Sequence, residues 1–286
     1  MNLLKSIFIS AFVTWLTLLS LYAFAKVIGG TVPLLSWLGL ALTALAPLVF
    51  FMKAFLFKSP RTPRHPVEYS VLSGLGVAVT MAMSFRYGQA AGAIHIWAGI
   101  TLLGWLAYLR WYSIFPARDA KALRVGAKLP EFQLETLEGH AVSSECFIAK
   151  PHLLLFYRGN WCPFCTAQIE ELAGVYQRLE KMGVSVVLIS PQSIRKNQLL
   201  AARFDVPMTF LRDRESAAAK QLGIEHTWGT PMGLQVLGYE SDSVMPTLIV
   251  TNAQGQIVFS DQTDNYRVRP DPEAIAQLLA TSSLKS

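Results

Sequence analysis

Apolar positions follow two regimes along the chain. Before residue 115 they form long uncharged runs, Ile7 to Ala25, Val27 to Met52, Tyr69 to Phe85 and Tyr87 to Leu109, broken by Lys26, by the basic stretch Lys53 to Glu68 and by Arg86. A bilayer core needs about 20 apolar residues in helical form, so the pattern predicts about four transmembrane helices. The first run is followed almost at once by a second and carries no clear small-x-small cleavage signal, so it reads as a membrane helix and not as a removable leader. Past residue 125 the runs shorten. His152 to Tyr157 is a fully apolar strand, Ala167 to Met182 carries Ile169, Leu172, Val175, Tyr176 and Leu179 at helical spacing, and Val184 to Ile189 is a second buried strand. These three make a βαβ unit. Helical patterns over Arg195 to Arg203, Ser216 to Leu222 and Pro272 to Ala280, with strands Thr247 to Thr251 and Ile257 to Ser260 around the turn Asn252 to Gln256, complete an α/β domain with a mixed central sheet. The expected organisation is a helical transmembrane domain over 1–115, a linker over 116–125 and the α/β domain over 126–286.

Composition supports the membrane reading, because 52% apolar and 15% charged residues in 286 are too apolar for an ordinary soluble chain. The formal charge of +6 divides unevenly: residues 1–125 hold 11 Lys and Arg against 2 Asp and Glu, whereas 126–286 hold 14 against 17. Basicity therefore belongs to the apolar half, where it serves topology, and nucleic acid is not an expected partner. With four spans, Lys5, Lys53, Lys58, Arg61, Arg64, Arg110, Arg118, Lys121 and Arg124 fall on one side and only Lys26 and Arg86 on the other. The positive-inside rule then puts both termini and the polar domain in the cytoplasm, at an inner cell membrane and in a reducing compartment.

Chemistry concentrates in Phe156 to Cys165, FYRGNWCPFC, which sets Cys162 and Cys165 between a strand and a helix. A thiol at a helix N-terminus faces unpaired backbone N–H groups and the positive end of the dipole, which favour thiolate. Cys162 is expected at the helix start, Cys165 one turn inside, and Pro163 in the first turn, where its missing N–H costs nothing. A zinc site would need His140, His152 or His226 to join the pair, since Cys146 has no CxxC partner, and no metal is assigned. The first 125 residues contain no cysteine, so anchoring, not dithiol relay, is the expected job of the membrane half; His95 is the single histidine within its runs.

The motif Trp161-Cys162-Pro163-Phe164-Cys165 after a buried strand resembles the thioredoxin fold. The surrounding sequence is more closely similar to peroxiredoxin-like proteins of the alkyl hydroperoxide reductase and thiol-specific antioxidant family. The similarity is carried by Val125-Gly126 with Pro130 and Phe132, Phe156-Tyr157-Arg158-Gly159, Ile189-Ser190-Pro191-Gln192, Phe210 to Gly223, Met245-Pro246-Thr247-Leu248 and Asp264 to Leu278. It runs over residues 125–280 and none of the apolar half.

That resemblance implies a thiol-dependent oxidoreductase that needs no metal or organic cofactor, only a thioredoxin-like or small-thiol electron donor and a peroxide or disulfide substrate. Two registers stay open. Read as a thioredoxin, Cys162 attacks and Cys165 resolves; read as a peroxiredoxin, Cys165 is the peroxidatic thiol and Cys162 replaces the assisting Thr or Ser. Pro246 is expected to be cis, turning Met245 outward to offer main-chain hydrogen bonds to substrate. Two departures stand out: Arg158 replaces the proline that opens the usual peroxiredoxin loop, and the arginine expected near Met245 is missing. Arg158 is a candidate for the missing cation and Trp161 for shielding the thiols, while Phe156 stands where thioredoxins bury a carboxylate. Glu170 and Glu171 read as a solvated helix face, and Cys146 as an ordinary thiol. The expected function is membrane-anchored hydroperoxide reduction through a Cys162/Cys165 disulfide, with a protein disulfide reductase and a redox-sensing adaptor as alternatives.

Overall fold

A computed structural model describes residues 2–57, 60–86, 93–118 and 122–281. They divide into two compact units, 7–57 with 62–114, and 1–6 with 58–61 and 115–286. Lys58, Lys121, and the opening of the fourth apolar run at Tyr87, Gly88 and Gly92 lie outside the described residues.

The first unit is helical: α1 (Asn2–Ile28), α2 (Leu34–Leu56), α3 (Val67–Arg86) and α4 (Ala93–Ala107), the last continued by a π-turn, Tyr108–Tyr112. Helices α2 and α3 meet through glycine. Gly39 and Gly76 face each other so closely that a Cβ on Gly39 would lie 2.8 Å from the Gly76 carbonyl, and Ser73 Oγ donates across to Thr43 O at 3.1 Å. Small residues let two backbones approach and exchange such bonds in an apolar setting. Phe50, Phe51, Tyr69, Trp105 and Tyr108 form an edge-to-face aromatic cluster. Among the described residues three helices, α1, α2 and α3, are long and apolar enough to cross a bilayer, rather than the four expected. The described part of α4 has only 15 residues. The arrangement with both ends on the cytoplasmic side needs an even number of crossings, so these helices do not establish it.

The second unit builds a seven-stranded mixed sheet. In chain order come β1 (Gln133–Glu135), β2 (Ala141–Ser143), β3 (His152–Phe156), α5 (Pro163–Lys181), β4 (Ser185–Ser190), α6 (Ile194–Ala201), β5 (Thr209–Arg212), α7 (Ala217–Gln221), β6 (Glu225–His226), β7 (Ser243–Val244), β8 (Thr247–Thr251), β9 (Ile257–Asp261) and α8 (Pro272–Thr281). The sheet order is β2-β1-β5-β4-β3-β8-β9, with β6 and β7 paired separately. Strands β3, β4 and β5 are parallel, and β8 runs antiparallel beside β3. Central strands need apolar side chains on both faces, which is why HLLLF and TLIVT are buried throughout. Helix α5 buries Phe164, Cys165, Ile169, Leu172, Tyr176 and Leu179, and it stops where Gly183 takes a φ of +77° and donates to Glu180 O. The short strands β1, β2, β5, β6 and β7 were not expected from the pattern, because two to four residues carry too little periodicity.

Candidate active site

The carboxyl ends of β3, β4 and β5 share one edge of the sheet, and the antiparallel register Phe156↔Thr247 brings Pro246 to that same edge. Open α/β sheets place ligands there. Residues 157–162 leave β3 at this edge and deliver Cys162 to the N-cap of α5, with Pro163 at its first turn. Cys165 lies one turn in, its N–H donating to Cys162 O at 3.0 Å. Both thiols are closed off, 1% and 0% exposed. Cys146 is exposed in the 3₁₀ turn Ser144–Phe147.

The loop ahead of Cys162 is braced from beneath. Gln192 Oε1 accepts from Asn160 N at 2.9 Å, and its Nε2 donates to Asn197 Oδ1 at 2.7 Å and to Tyr157 Oη at 3.1 Å. The Tyr157 hydroxyl closes the ring on Asn197 Oδ1, and burial pushes its ionisation up so that it stays a neutral donor. Gly159 at φ +146° is needed here, since a Cβ would lie 2.7 Å from the Trp161 indole nitrogen. From the segment between β6 and β7, Tyr239 Oη donates to Asn160 Oδ1 at 2.6 Å.

Arg158 is not an exposed strand-end residue. It is 4% exposed, donates to the Gly229 carbonyl, and lays its guanidinium 4.6 Å from the centre of the Trp161 ring and 5.3 Å from that of Tyr266. Trp161 thus holds a cation in place besides covering the loop. The expected roles of Met245 and Pro246 meet a different geometry. Among the described residues the cis peptide is Val32–Pro33, and the Met245–Pro246 bond is trans. Met245 N donates to Ile224 O at 2.7 Å and its carbonyl accepts from Thr247 Oγ1 at 2.9 Å, so neither faces outward for a substrate. The Pro246 carbonyl is taken by both Nη atoms of Arg118, at 3.3 Å each, while Arg118 Nη2 also donates to Thr263 O at 2.6 Å. These internal bonds replace the extended-substrate bonds a cis turn would free. Glu170 pairs with Arg203 at 2.9 Å on the α5 surface, as a solvated face would.

One residue near the thiols was not singled out from the sequence. Arg269, in the segment between β9 and α8, is 5% exposed and sets Nη2 3.8 Å from Cys165 Sγ. The single legible signal was its place within Asp264 to Leu278, a stretch carrying the family resemblance; nothing in its spacing from Cys165, 104 residues away, foretold the contact.

Electrostatics divide the pair. Burial by itself would push the Cys162 thiol up, but the Cys165 thiol donating to it, followed by the Arg158 and Arg269 charges, outweighs that and holds it at about 6. Burial, and then the neighbouring Cys162, push Cys165 well above the ordinary thiol range. The direction of these shifts favours negative charge on Cys162 over Cys165, which suits nucleophilic sulfur chemistry with a second thiol in reserve.

The AhpC/TSA family matches residues 125–260. The peroxiredoxin bcp of Coxiella burnetii is 32% identical over 103 residues, covering 36% of this chain and 68% of that protein. The chloroplastic peroxiredoxin Q of Sedum lineare is 32% identical over 151 residues, covering 52% of this chain and 77% of its own. Among solved structures, peroxidoxin BcpB of Mycobacterium tuberculosis aligns with 20% identity and a TM-score of 0.46, over 56% of this chain and 99% of that one.

Proposed function

From the premise that the chain belongs to the AhpC/TSA family of peroxiredoxins, and so is a thiol-dependent oxidoreductase, we propose that it reduces hydroperoxides through a Cys162/Cys165 disulfide. The observation that carries the two-thiol reading is the placement of Cys162 at the α5 N-cap with Cys165 one turn in, both buried and the Cys165 N–H donating to Cys162 O at 3.0 Å. The Cys162 thiolate attacks a peroxide oxygen: the S–O bond forms, the O–O bond breaks, and the leaving alkoxide or hydroxide takes up a proton. Cys165 then gives up its proton and attacks the Cys162 sulfur, forming the S–S bond and releasing water. A dithiol donor, thioredoxin-like or small, restores both thiols by exchange. Arg158 and Trp161 hold the loop and its positive charge beside Cys162, and Pro163 starts the helix that presents it. Met245 and Pro246 stand at the sheet edge from which the Cys162 loop leaves, with their main-chain groups bonded internally and not offered to substrate.

Near-complete burial of both cysteines in this reduced arrangement suits a small peroxide as the oxidant, and reduction of the disulfide by a protein donor requires the loop ahead of Cys162 to open. The apolar helices α1, α2 and α3 support a bilayer as the place of action, with the α/β domain following the linker over 116–125. The test is rapid mixing of the reduced full chain in detergent with hydrogen peroxide, followed by mass spectrometry. Wild type is expected to form the Cys162–Cys165 disulfide, and Cys165→Ser to accumulate sulfenic acid on Cys162. Oxidation no faster than that of a free thiol, with rapid reduction of a protein disulfide, would replace this reading by the disulfide reductase.

A further inference from the structure

Between β6 and β7 the chain runs for 13 residues without a charge, Thr227 to Tyr239, TWGTPMGLQVLGY. Its apolar side chains are not folded away: Trp228, Met232, Val236 and Leu237 are exposed, Val236 at 89%, and the 3₁₀ turn Leu234–Leu237 buries none of its residues. Trp228 takes a φ of +52°, a costly backbone conformation for a bulky residue, with its N–H tied to Asp242 Oδ1 at 2.9 Å and its indole left exposed. Exposed apolar side chains gathered in one segment mark a surface that meets protein or lipid.

The hydrogen bonds of this loop select lipid. The first residues of α1 hold it, inside the one compact unit that joins 1–6 to 115–286. Ser6 Oγ donates to Thr230 O at 2.6 Å, Met232 N donates to Ser6 O at 3.2 Å, and Asn2 Nδ2 donates to Thr227 Oγ1 at 3.4 Å. Ser6 directly precedes Ile7, where the uncharged run of α1 begins, so the loop stands at the level at which that helix enters a bilayer. Its composition fits that level. Trp228 and Tyr239 stand near its two ends, as aromatic residues do at the headgroup boundary, and Lys196 of α6, donating to Leu237 O at 2.7 Å, sets a cation at its rim for anionic headgroups.

We propose that segment 227–239 is a lipid-docking loop, with the Trp228, Met232, Val236 and Leu237 side chains lying in the headgroup–acyl boundary of the bilayer that α1 enters. The assignment rests on the bilayer reading above and adds to the spanning helices a second, interfacial contact of the kind that monotopic anchors make. The same loop meets the thiol-bearing segment, Tyr239 Oη donating to Asn160 Oδ1 and Gly229 O accepting from Arg158, so docking it holds that segment at the membrane surface.

Spin labels on single cysteines test the placement in the full chain, reconstituted one copy per nanodisc of phosphatidylethanolamine and phosphatidylglycerol. With the other native cysteines replaced by serine, labels are set at Val236→Cys, at Leu237→Cys, at Leu18→Cys on the exposed side of α1, and at native Cys146, exposed in the turn ahead of β3. The ratio of collisions with oxygen, which dissolves in lipid, to collisions with a water-soluble nickel chelate is expected to be about threefold or more higher at 236 and 237 than at 146, and higher still at 18. A ratio at 236 and 237 equal to that at 146 overturns the docking. If the serine-substituted chain does not fold, lipids brominated near the headgroup should quench a smaller share of the tryptophan emission in Trp228→Phe than in the wild-type chain, and an equal share overturns it as well. Shielding found only in discs that hold two chains would give the loop to a second copy and overturn it too. The label at Leu18 separates failures: water there defeats the bilayer reading itself, whereas lipid there with water at 236 and 237 defeats only this inference.

Discussion

Replacing Cys165 by alanine should raise the pH at which Cys162 ionises, by an amount the geometry sets. Among the influences that favour the Cys162 thiolate, the bond from the Cys165 thiol comes first and the Arg158 and Arg269 charges follow; together they overcome burial and leave the thiol at about 6. A hydrogen bond to a charged group is worth about 1.5–3 kcal/mol. At 1.36 kcal/mol per pH unit that corresponds to about one to two units, so the midpoint should move to about 7–8. At pH 7 the thiolate fraction then falls from about nine-tenths to between about a half and a tenth, and the rate with hydrogen peroxide falls in proportion, about two- to tenfold. The direction follows from which form the bond stabilises: the donor favours the anion, and its loss makes the proton harder to remove. The ultraviolet absorbance of the thiolate, titrated in the Cys165→Ala variant with Cys146 also replaced by serine, reads the midpoint directly. A midpoint unchanged from that of the parent would mean that Cys165 does not support the thiolate. A Cys162→Ala variant in which Cys165 titrates near pH 6 would reverse the roles of the two sulfurs and restore the peroxidatic register for Cys165.

Two further outcomes are expected. Gly39→Ala drives a Cβ to 2.5 Å from Thr80 Oγ1 and 2.8 Å from the Gly76 carbonyl, so it should cost about 1–3 kcal/mol in the α2–α3 pair and lower the thermal midpoint in detergent; an unchanged midpoint would show that the close glycine contact is dispensable. Burial, with the Arg158 charge next, holds His226 down at about 3, below the value of about 6.5 it has in an unfolded chain. The unfolded chain therefore binds the proton more readily, and the stability this histidine contributes is full above about pH 6.5 and lost as pH falls toward 3. Denaturant titrations at several pH values should show a shallower acid decline in His226→Gln, and an identical decline would remove this histidine from the account.

Much of the domain was legible because its signals are local. A fully apolar pentapeptide between polar segments has to become a central strand, and the residues at helical spacing from Ile169 to Leu179 have to become a helix with one buried face. The cysteine pair, Pro163 at the helix start and the apolar helices were readable for the same reason. The fourth apolar run does not appear among the helices long enough to span: its opening lies outside the described residues, and α4 gives 15 described residues before the π-helical segment. Family resemblance supplied a cis Pro246, but the bond is trans, and Arg118 and Thr247 donate to the Pro246 and Met245 carbonyls.

What remained hidden is long-range. Arg269 reaches Cys165 across 104 residues, and Arg118 reaches Pro246 across 128, neither with any periodicity to announce it. Burial is also invisible residue by residue: nothing local to Arg158 shows that Trp161 and Tyr266 pack against its guanidinium. Sequence by itself determined the longer helices, the central strands, the family and the position of both thiols on their helix, since those depend on neighbours in the chain. Tertiary structure decided which cations stand near the thiol pair and how deeply both are buried, since charge acts through space and its strength depends on how thoroughly the fold excludes water.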